Sequence, residues 1–318
     1  MKKFASILLA GLMALSLFAG CSSEVTSTDD GSSAVQASSS GTESQAESNG
    51  SSEDAYAGLS GTLTLNGSTS MTAVCNALGE AFMAKYDGVT VEKANTGSGS
   101  AVTAVNDGTA LIGDLSRKVK DDEDPDGKFT KVTIALDGIA IAVNPENPVD
   151  ALTSEQIEKI FAGEITNWSE VGGDDAAITV IGREEGSGTR DGFESIFGFG
   201  EDKKCAYAAE VQETGIVVSK VASDPSAIGY VSLASVNDEI KAVSVDGVEA
   251  TEENVSNGTY VVQRPFVQIY TKGTDSELVK AWFDFLKSDE GQQIIADQKL
   301  VTVCLLYTSD AADDVPAV

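Results

Sequence analysis

The sequence predicts an α/β fold built on a parallel or mixed sheet. Three observations carry that expectation. Short strand-like apolar runs alternate with helix-periodic segments between residues 61 and 303. Capping signals stand in front of two of the helical segments. Gly/Ser/Thr-rich turns repeatedly join the end of a strand run to the start of a helix. The chain has 318 residues, 42% hydrophobic and 22% charged, which is the composition of a globular protein. That length accommodates one large core or two lobes of about 100–150 residues each.

Taken in order, residues 61–66 alternate like a strand, with Leu63 and Leu65 on one face. Met71, Val74, Leu78 and Phe82 then recur at helical spacing. Residues 89–91 suggest a second strand, followed by glycine–serine turns and a short helix through Val102 and Val105. Residues 110–112 read as a third strand, and 132–143 as a long apolar stretch interrupted by Asp137-Gly138. Thr153-Ser154-Glu155-Gln156 is a capping box that opens a helix through Ile160 and Phe161. A strand at 178–181 and a helix at 187–197 follow, then strands at 228–231, 242–245 and 266–270. Thr274-Asp275-Ser276-Glu277 caps a final helix with Leu278, Trp282 and Phe285 on one face. No internal repeat is present.

The first 20 residues have the form of an export signal: Lys2 and Lys3, an uncharged apolar run over 4–18, then Ala19-Gly20-Cys21. The apolar run is shorter than the roughly 20 residues of a bilayer span. Cys21 after two small residues resembles a lipoprotein cleavage box, with Cys21 as the acylated (palmitate-bearing) anchor; the alternative is a plain signal peptide with an incidental cysteine. Residues 22–60 hold thirteen serines, seven acids and no Lys or Arg, so they cannot bury enough apolar surface to offset ordering, and residues 21–59 read as a disordered tether. Residues 304–318 lack periodicity and read as a non-native tail.

Composition excludes several function classes. A net charge of −29 argues against nucleic acid or anionic lipid as partner, leaving the membrane to the lipid anchor alone. The absence of histidine removes the Ser-His-Asp triad, the Cys-His dyad and the commonest metal ligand. Cys75, Cys205 and Cys304 show no metal-type spacing, and a Cys75–Cys205 disulfide stays open. No cofactor or metal is expected.

The chemistry lies in three turns: Gly67-Ser68-Thr69-Ser70, Thr96-Gly97-Ser98-Gly99-Ser100, and Arg183-Glu184-Glu185-Gly186-Ser187-Gly188-Thr189-Arg190. Each follows a strand and opens a helix. A helix N-terminus offers unpaired N–H groups and partial positive charge, glycine permits close approach, and Ser/Thr add hydroxyl donors. Such turns are either simple N-caps or an anion site without net positive charge. No Gly-Lys-Ser/Thr sequence supports nucleotide hydrolysis, and no histidine serves a nucleophilic serine.

These residues resemble the phosphate-binding lipoproteins of the high-affinity phosphate ABC importer, the PstS-like family, over about residues 60–303. The likeness rests on Gly67 to Met71, Thr96 to Ser100, Leu136-Asp137-Gly138-Ile139-Ala140 leading to Val143-Asn144-Pro145, Ile160 to Gly163 with Asn167-Trp168, the Arg183–Arg190 run, and Arg264-Pro265. It implies a two-lobed periplasmic-binding-protein-like (type II) fold with a ligand cleft between lobes. Lobe one would be 60–140 plus 264–303, and lobe two 141–263, with chain crossings near 139–143 and 265–270. It implies a monomeric, membrane-tethered, extracytoplasmic receptor that binds inorganic phosphate, serves an ABC permease and ATPase complex, and is not an enzyme. By the same resemblance Ser70, the Met71 amide, Ser98, Ser116, Arg183, Ser187, Gly188 and Thr189 would contact phosphate. Asp137 would supply a carboxylate that accepts the phosphate proton, and Glu185 would orient Arg183. Two alternatives stand: Asp137-Gly138 as a turn or bulge, and Arg183 as an ion-pair partner of Glu184 or Glu185. A receptor for sulfate or molybdate, a phosphate-ester hydrolase using Ser98 or Ser187, and a surface-structural lipoprotein are rival functions.

Overall fold

The computed structural model describes residues 55–303. The expected signal, Cys21, nearly all of the tether and the tail from 304 lie outside the described residues. The chain begins with β1 (Ser60–Gly67), α1 (Thr72–Lys85), β2 (Gly88–Asn95), α2 (Ser98–Asn106) and β3 (Ile112–Leu115). β1 lies between β2 and β3 and pairs both in parallel, so all three strands end at the same edge of the sheet. Of the stripe read from the sequence, α1 buries Val74, Leu78 and Phe82 together with Cys75, while Met71 stands just ahead of it as the N-cap residue. Phe82 meets the Trp282 ring edge-on at 5.3 Å.

β4 (Phe129–Val143) follows as one long strand. Then come β5 (Ala151–Leu152), α3 (Ser154–Phe161), β6 (Thr179–Arg183), α4 (Gly188–Ile196), β7 (Ala209–Val211), α5 (Thr214–Ser223) and β8 (Ala227–Ser232). The chain continues through β9 (Lys241–Ala242), β10 (Ser244–Val245), α6 (Glu252–Ser256), β11 (Gln263–Thr271), α7 (Glu277–Lys287), α8 (Asp289–Asp297) and β12 (Val301–Thr302). The strand order is β2-β1-β3-β11-β4-β8-β6-β7, with β9 and β12 also paired to β4. β6 pairs both β8 and β7 in parallel, whereas β4 is antiparallel to β11 and β8. The sheet is therefore mixed, and it curls through two lobes that share β4.

Hydrophobic cores divide along the chain. Those of the first lobe draw residues from 59–135 and 266–300. Those of the second draw only from 139–262. Within β4, Ile139, Ile141 and Val143 enter one second-lobe core while Ala140 and Ala142 enter the other. Both faces are covered, which is why this strand reads as a continuous apolar run.

Several expectations are corrected in detail. Asp137-Gly138 does not interrupt β4. Asp137 stands in register opposite Arg264 of β11, and their ion pair lets a carboxylate occupy a strand interior. A Cβ on Gly138 would come within 3.0 Å of Val255 Cγ2, so close packing rather than a turn explains the glycine. The 242–245 strand is two short pieces, β9 and β10. The cap of α7 is Ser276, which accepts from the Val279 amide at 3.4 Å, while Thr274 Oγ1 donates to the Thr271 carbonyl. α7 is not the last helix, since α8 follows. Cys75 and Cys205 are both free, Cys75 within the first-lobe core and Cys205 packed against the second.

Candidate functional site

The parallel strands deliver the site. In open α/β sheets ligands gather beyond the carboxyl ends of the strands. β1 ends at Gly67 and releases Ser68, Thr69 and Ser70; β2 leads to Ser98; β3 leads to Ser116; β6 ends on Arg183; β7 leads to Thr214. Gly67 is required where β1 turns away. Its φ is +146°, and a Cβ there would fall 2.1 Å from the Asp114 carbonyl oxygen, which already accepts from the Ser68 amide.

The three turns converge on one place. On the first-lobe side, Ser68 Oγ donates to Ser116 Oγ at 2.8 Å, and Ser98 Oγ accepts from the Ser116 amide at 3.1 Å. Across the cleft, Ser70 Oγ lies 2.8 Å from Thr189 Oγ1 and 3.2 Å from Thr214 Oγ1, and Thr69 Oγ1 lies 3.1 Å from Thr214 Oγ1. Gly188, the first residue of α4, is packed so closely that a Cβ would meet Ser98 Oγ at 2.4 Å and Ser116 Oγ at 2.6 Å. The Gly99 amide donates to the Gly186 carbonyl at 3.0 Å, so backbone also joins the two sides.

Arg183 closes the cluster from the second lobe. It is only 2% exposed. Its Nη1 donates to Thr214 Oγ1 and its Nη2 to Thr69 Oγ1, each at 3.0 Å. Its Nε and Nη2 also donate to the carbonyls of Val211 and Gln212. Among the described residues no carboxylate pairs with it, and Glu185 does not contact it. Burial pulls its pKa down to about 10, and nearby Arg264 lowers it further against the opposing pull of Tyr230, Glu213 and Glu184. A buried guanidinium met only by neutral oxygens is a charge awaiting a counter-ion. A cavity of about 290 Å³ opens beside it, lined by Asn95, Thr96, Gly97, Glu184, Glu185 and Ser187 among others.

Ser70, Ser98, Ser116, Arg183, Gly188 and Thr189 are thus brought together. Met71 is buried at the start of α1, and its amide donates to the Ser68 carbonyl at 3.2 Å. Ser187 lies at the site's edge, but its hydroxyl caps α4 by accepting from the Arg190 amide. Arg190 turns away to Glu194 and Glu210. Asp137 is not brought in, which corrects the expectation that it faces the ligand. One carboxyl oxygen accepts from Ser232 Oγ at 2.7 Å, and the other from Arg264 Nε and Nη2 at 3.1 and 2.9 Å. Burial raises its pKa, and the Arg264 charge opposes that rise. Asn167-Trp168 is likewise structural: Asn167 caps a 3-10 turn, and the buried Trp168 donates to the Ser226 carbonyl. Sequence reasoning missed Ser68 and Thr69 as contributors, and Thr214 altogether. The available signal for Thr214 was Glu213-Thr214-Gly215 following a short strand.

The PBP superfamily domain matches residues 36–290 of the chain. The phosphate-binding protein PstS of Bacillus subtilis (strain 168) is 33% identical over 264 residues, covering 79% of this chain and 84% of that protein. The chain belongs to the PstS family of the PBP superfamily. PstS of Pseudomonas aeruginosa is 30% identical over 271 residues, covering 75% of this chain and 82% of the relative. A phosphate ABC transporter substrate-binding protein from Clostridium perfringens, crystallised with bound phosphate, superposes with a TM-score of 0.74 at 42% identity, covering 77% of this chain and all of its own. An ABC-type phosphate transport receptor from Vibrio cholerae gives a TM-score of 0.65 at 32% identity, over 76% of this chain. The two-lobed cleft fold expected from the sequence is thereby established for this member of the family.

Proposed function

We propose that the chain is a transport receptor that captures inorganic phosphate in the cleft and delivers it to an ABC permease and ATPase complex. The observation that carries this reading is Arg183: a buried guanidinium without a carboxylate, bonded to hydroxyls from both lobes. Ser70, Ser98, Ser116, Thr189 and the amides at Met71 and at Gly188, the first residue of α4, are the proposed ligand donors, the Met71 amide exchanging the Ser68 carbonyl for the anion, with Ser187 at the rim. Thr69 and Thr214 release Arg183 to the anion. Each hydrogen bond to a charged group contributes about 1.5–3 kcal/mol, so a handful supports micromolar or tighter binding after association costs.

The hydroxyls take the place of Asp137 as acceptors for the anion. Each can donate or accept, so one can turn to receive the proton that phosphate retains at neutral pH and sulfate lacks. The chain has no histidine, and among the described residues no carboxylate hydrogen-bonds the site's nucleophile-type serines to act as base, which favours binding over ester hydrolysis. The relatives are named for binding and transport.

The lobes are taken as 60–140 plus 264–303 and 141–263, a division supported by the separation of the cores. The receptor is read as a monomer held outside the cytoplasm at the cell membrane by a lipid on Cys21, with residues 21–59 as its tether. Among the described residues no helix is long and apolar enough to cross a membrane. Calorimetric titration of the purified chain with phosphate, sulfate and molybdate tests the reading. Phosphate is expected to bind at micromolar or lower concentration and sulfate more weakly. No phosphate heat, or equal binding of sulfate, would refute it.

A further inference from the structure

A second set of contacts spans the cleft beside the hydroxyl cluster. Arg117 follows Ser116 directly on the first lobe, and its side chain is 7% exposed. Its Nη1 and Nη2 grip Glu123 of the same lobe at 2.7 and 2.6 Å. Its Nε reaches across to Asp191 Oδ2 at 2.7 Å. Lys120, also of the first lobe, donates to Asp191 Oδ1 at 3.2 Å. Asp191 belongs to the first turn of α4, two residues after Thr189. We propose that Arg117, Lys120 and Asp191 form an ion-pair latch that holds the lobes closed, seats the start of α4 against the Ser116 turn, and slows release of the bound anion.

The geometry favours a latch over a surface ion pair. Glu123 fixes the guanidinium in a two-pronged grip, so little side-chain freedom remains to be lost when Asp191 arrives. Asp191 is 22% exposed and Glu123 18%, which limits screening by water. No side chain of the network joins the hydroxyl cluster, so its contribution is to position and hold rather than to touch the ligand. A first-turn aspartate also complements the helix dipole. That role would not depend on Arg117, and the test separates the two.

The ligand part of this inference rests on the phosphate reading; the closure part does not. The cross-cleft bond from the Gly99 amide to the Gly186 carbonyl supplies a reporter in the ligand-free chain. Hydrogen exchange at Gly99 and the rate of phosphate release are measured in the full chain, in Asp191→Asn, in Arg117→Gln and in the double variant. Each single variant is expected to speed Gly99 exchange and to raise the release rate about tenfold, with the double no worse than the singles. Unchanged Gly99 exchange, or effects that simply add, would overturn the latch. If the parent chain binds no phosphate, the transport reading fails, and exchange at Gly99 still decides whether the latch exists.

Discussion

Arg183 keeps its charge inside the cleft because arginine starts from a high intrinsic pKa. Burial brings it to about 10, which still leaves it protonated at neutral pH. A lysine begins lower, near 10.4, and the same loss of water would lower it further. The charged form of a cation is lost as pH rises through its pKa. In Arg183→Lys, phosphate affinity is therefore expected to fall at a lower pH than in the parent, whose Arg183 keeps its charge to about 10; titrations across pH 7–10 check this. Thr214→Val keeps the shape but removes the hydroxyl that meets Arg183 Nη1 at 3.0 Å, Ser70 at 3.2 Å and Thr69 at 3.1 Å. A loss of about tenfold or more in phosphate affinity is expected, measured by calorimetry. At this scale the sequence was informative where glycine and serine cluster, as around Ser98 and Gly188. For Thr214 it offered only Glu213-Thr214-Gly215, a lone threonine before a valine-rich helix, because only folding brings β7 alongside β6.

Among elements, α4 is the one whose placement decides whether the cleft closes. Its first residue must lack a side chain, since a Cβ at Gly188 would strike two hydroxyls of the opposite lobe. Gly188→Ala is expected to leave the melting temperature of the ligand-free chain nearly unchanged while reducing phosphate affinity about a hundredfold, because the second lobe still folds but cannot seat against the first. Scanning calorimetry with and without phosphate separates the two effects. Elements with strong local signals were legible: β1 from its alternation, α1 from its stripe, α3 from Thr153 and Gln156, whose reciprocal caps are both formed. The central error was β4. A buried aspartate beside a glycine looks like a turn until its partner is known, and Arg264 lies 127 residues away in sequence. α5 escaped notice because Val217, Val218 and Val221 suit a strand as well as a helix, and tertiary contacts decide between them.

For the whole molecule, β4 and β11 run side by side where the chain passes between lobes, and Asp137 and Arg264 face each other at that crossing. Both are buried, and among the described residues Arg264 Nη1 has no hydrogen-bond partner, so the pair carries a desolvation cost that a neutral replacement would avoid. Removing one charge leaves the other stranded. Asp137→Asn is expected to destabilise the chain by about 3–5 kcal/mol in denaturant melts, while Asp137→Leu with Arg264→Met recovers most of that loss. Since neither residue touches the hydroxyl cluster, the double variant should retain phosphate binding. The likeness to a known family made the two-lobed architecture legible from sequence. That Asp137 turns to Arg264 rather than to the cleft was not legible, because that depends on the pairing of β4 with β11.

The central claim concerns where the anion sits, and a crystal structure of the chain grown with phosphate tests it most directly. A tetrahedral anion bonded at once to Arg183, to Ser70 and Ser98 from the first lobe, and to Thr189 from the second is the predicted result. An anion bound elsewhere, with Arg183 still held by Thr69 and Thr214 in a cleft that admits nothing, would contradict it.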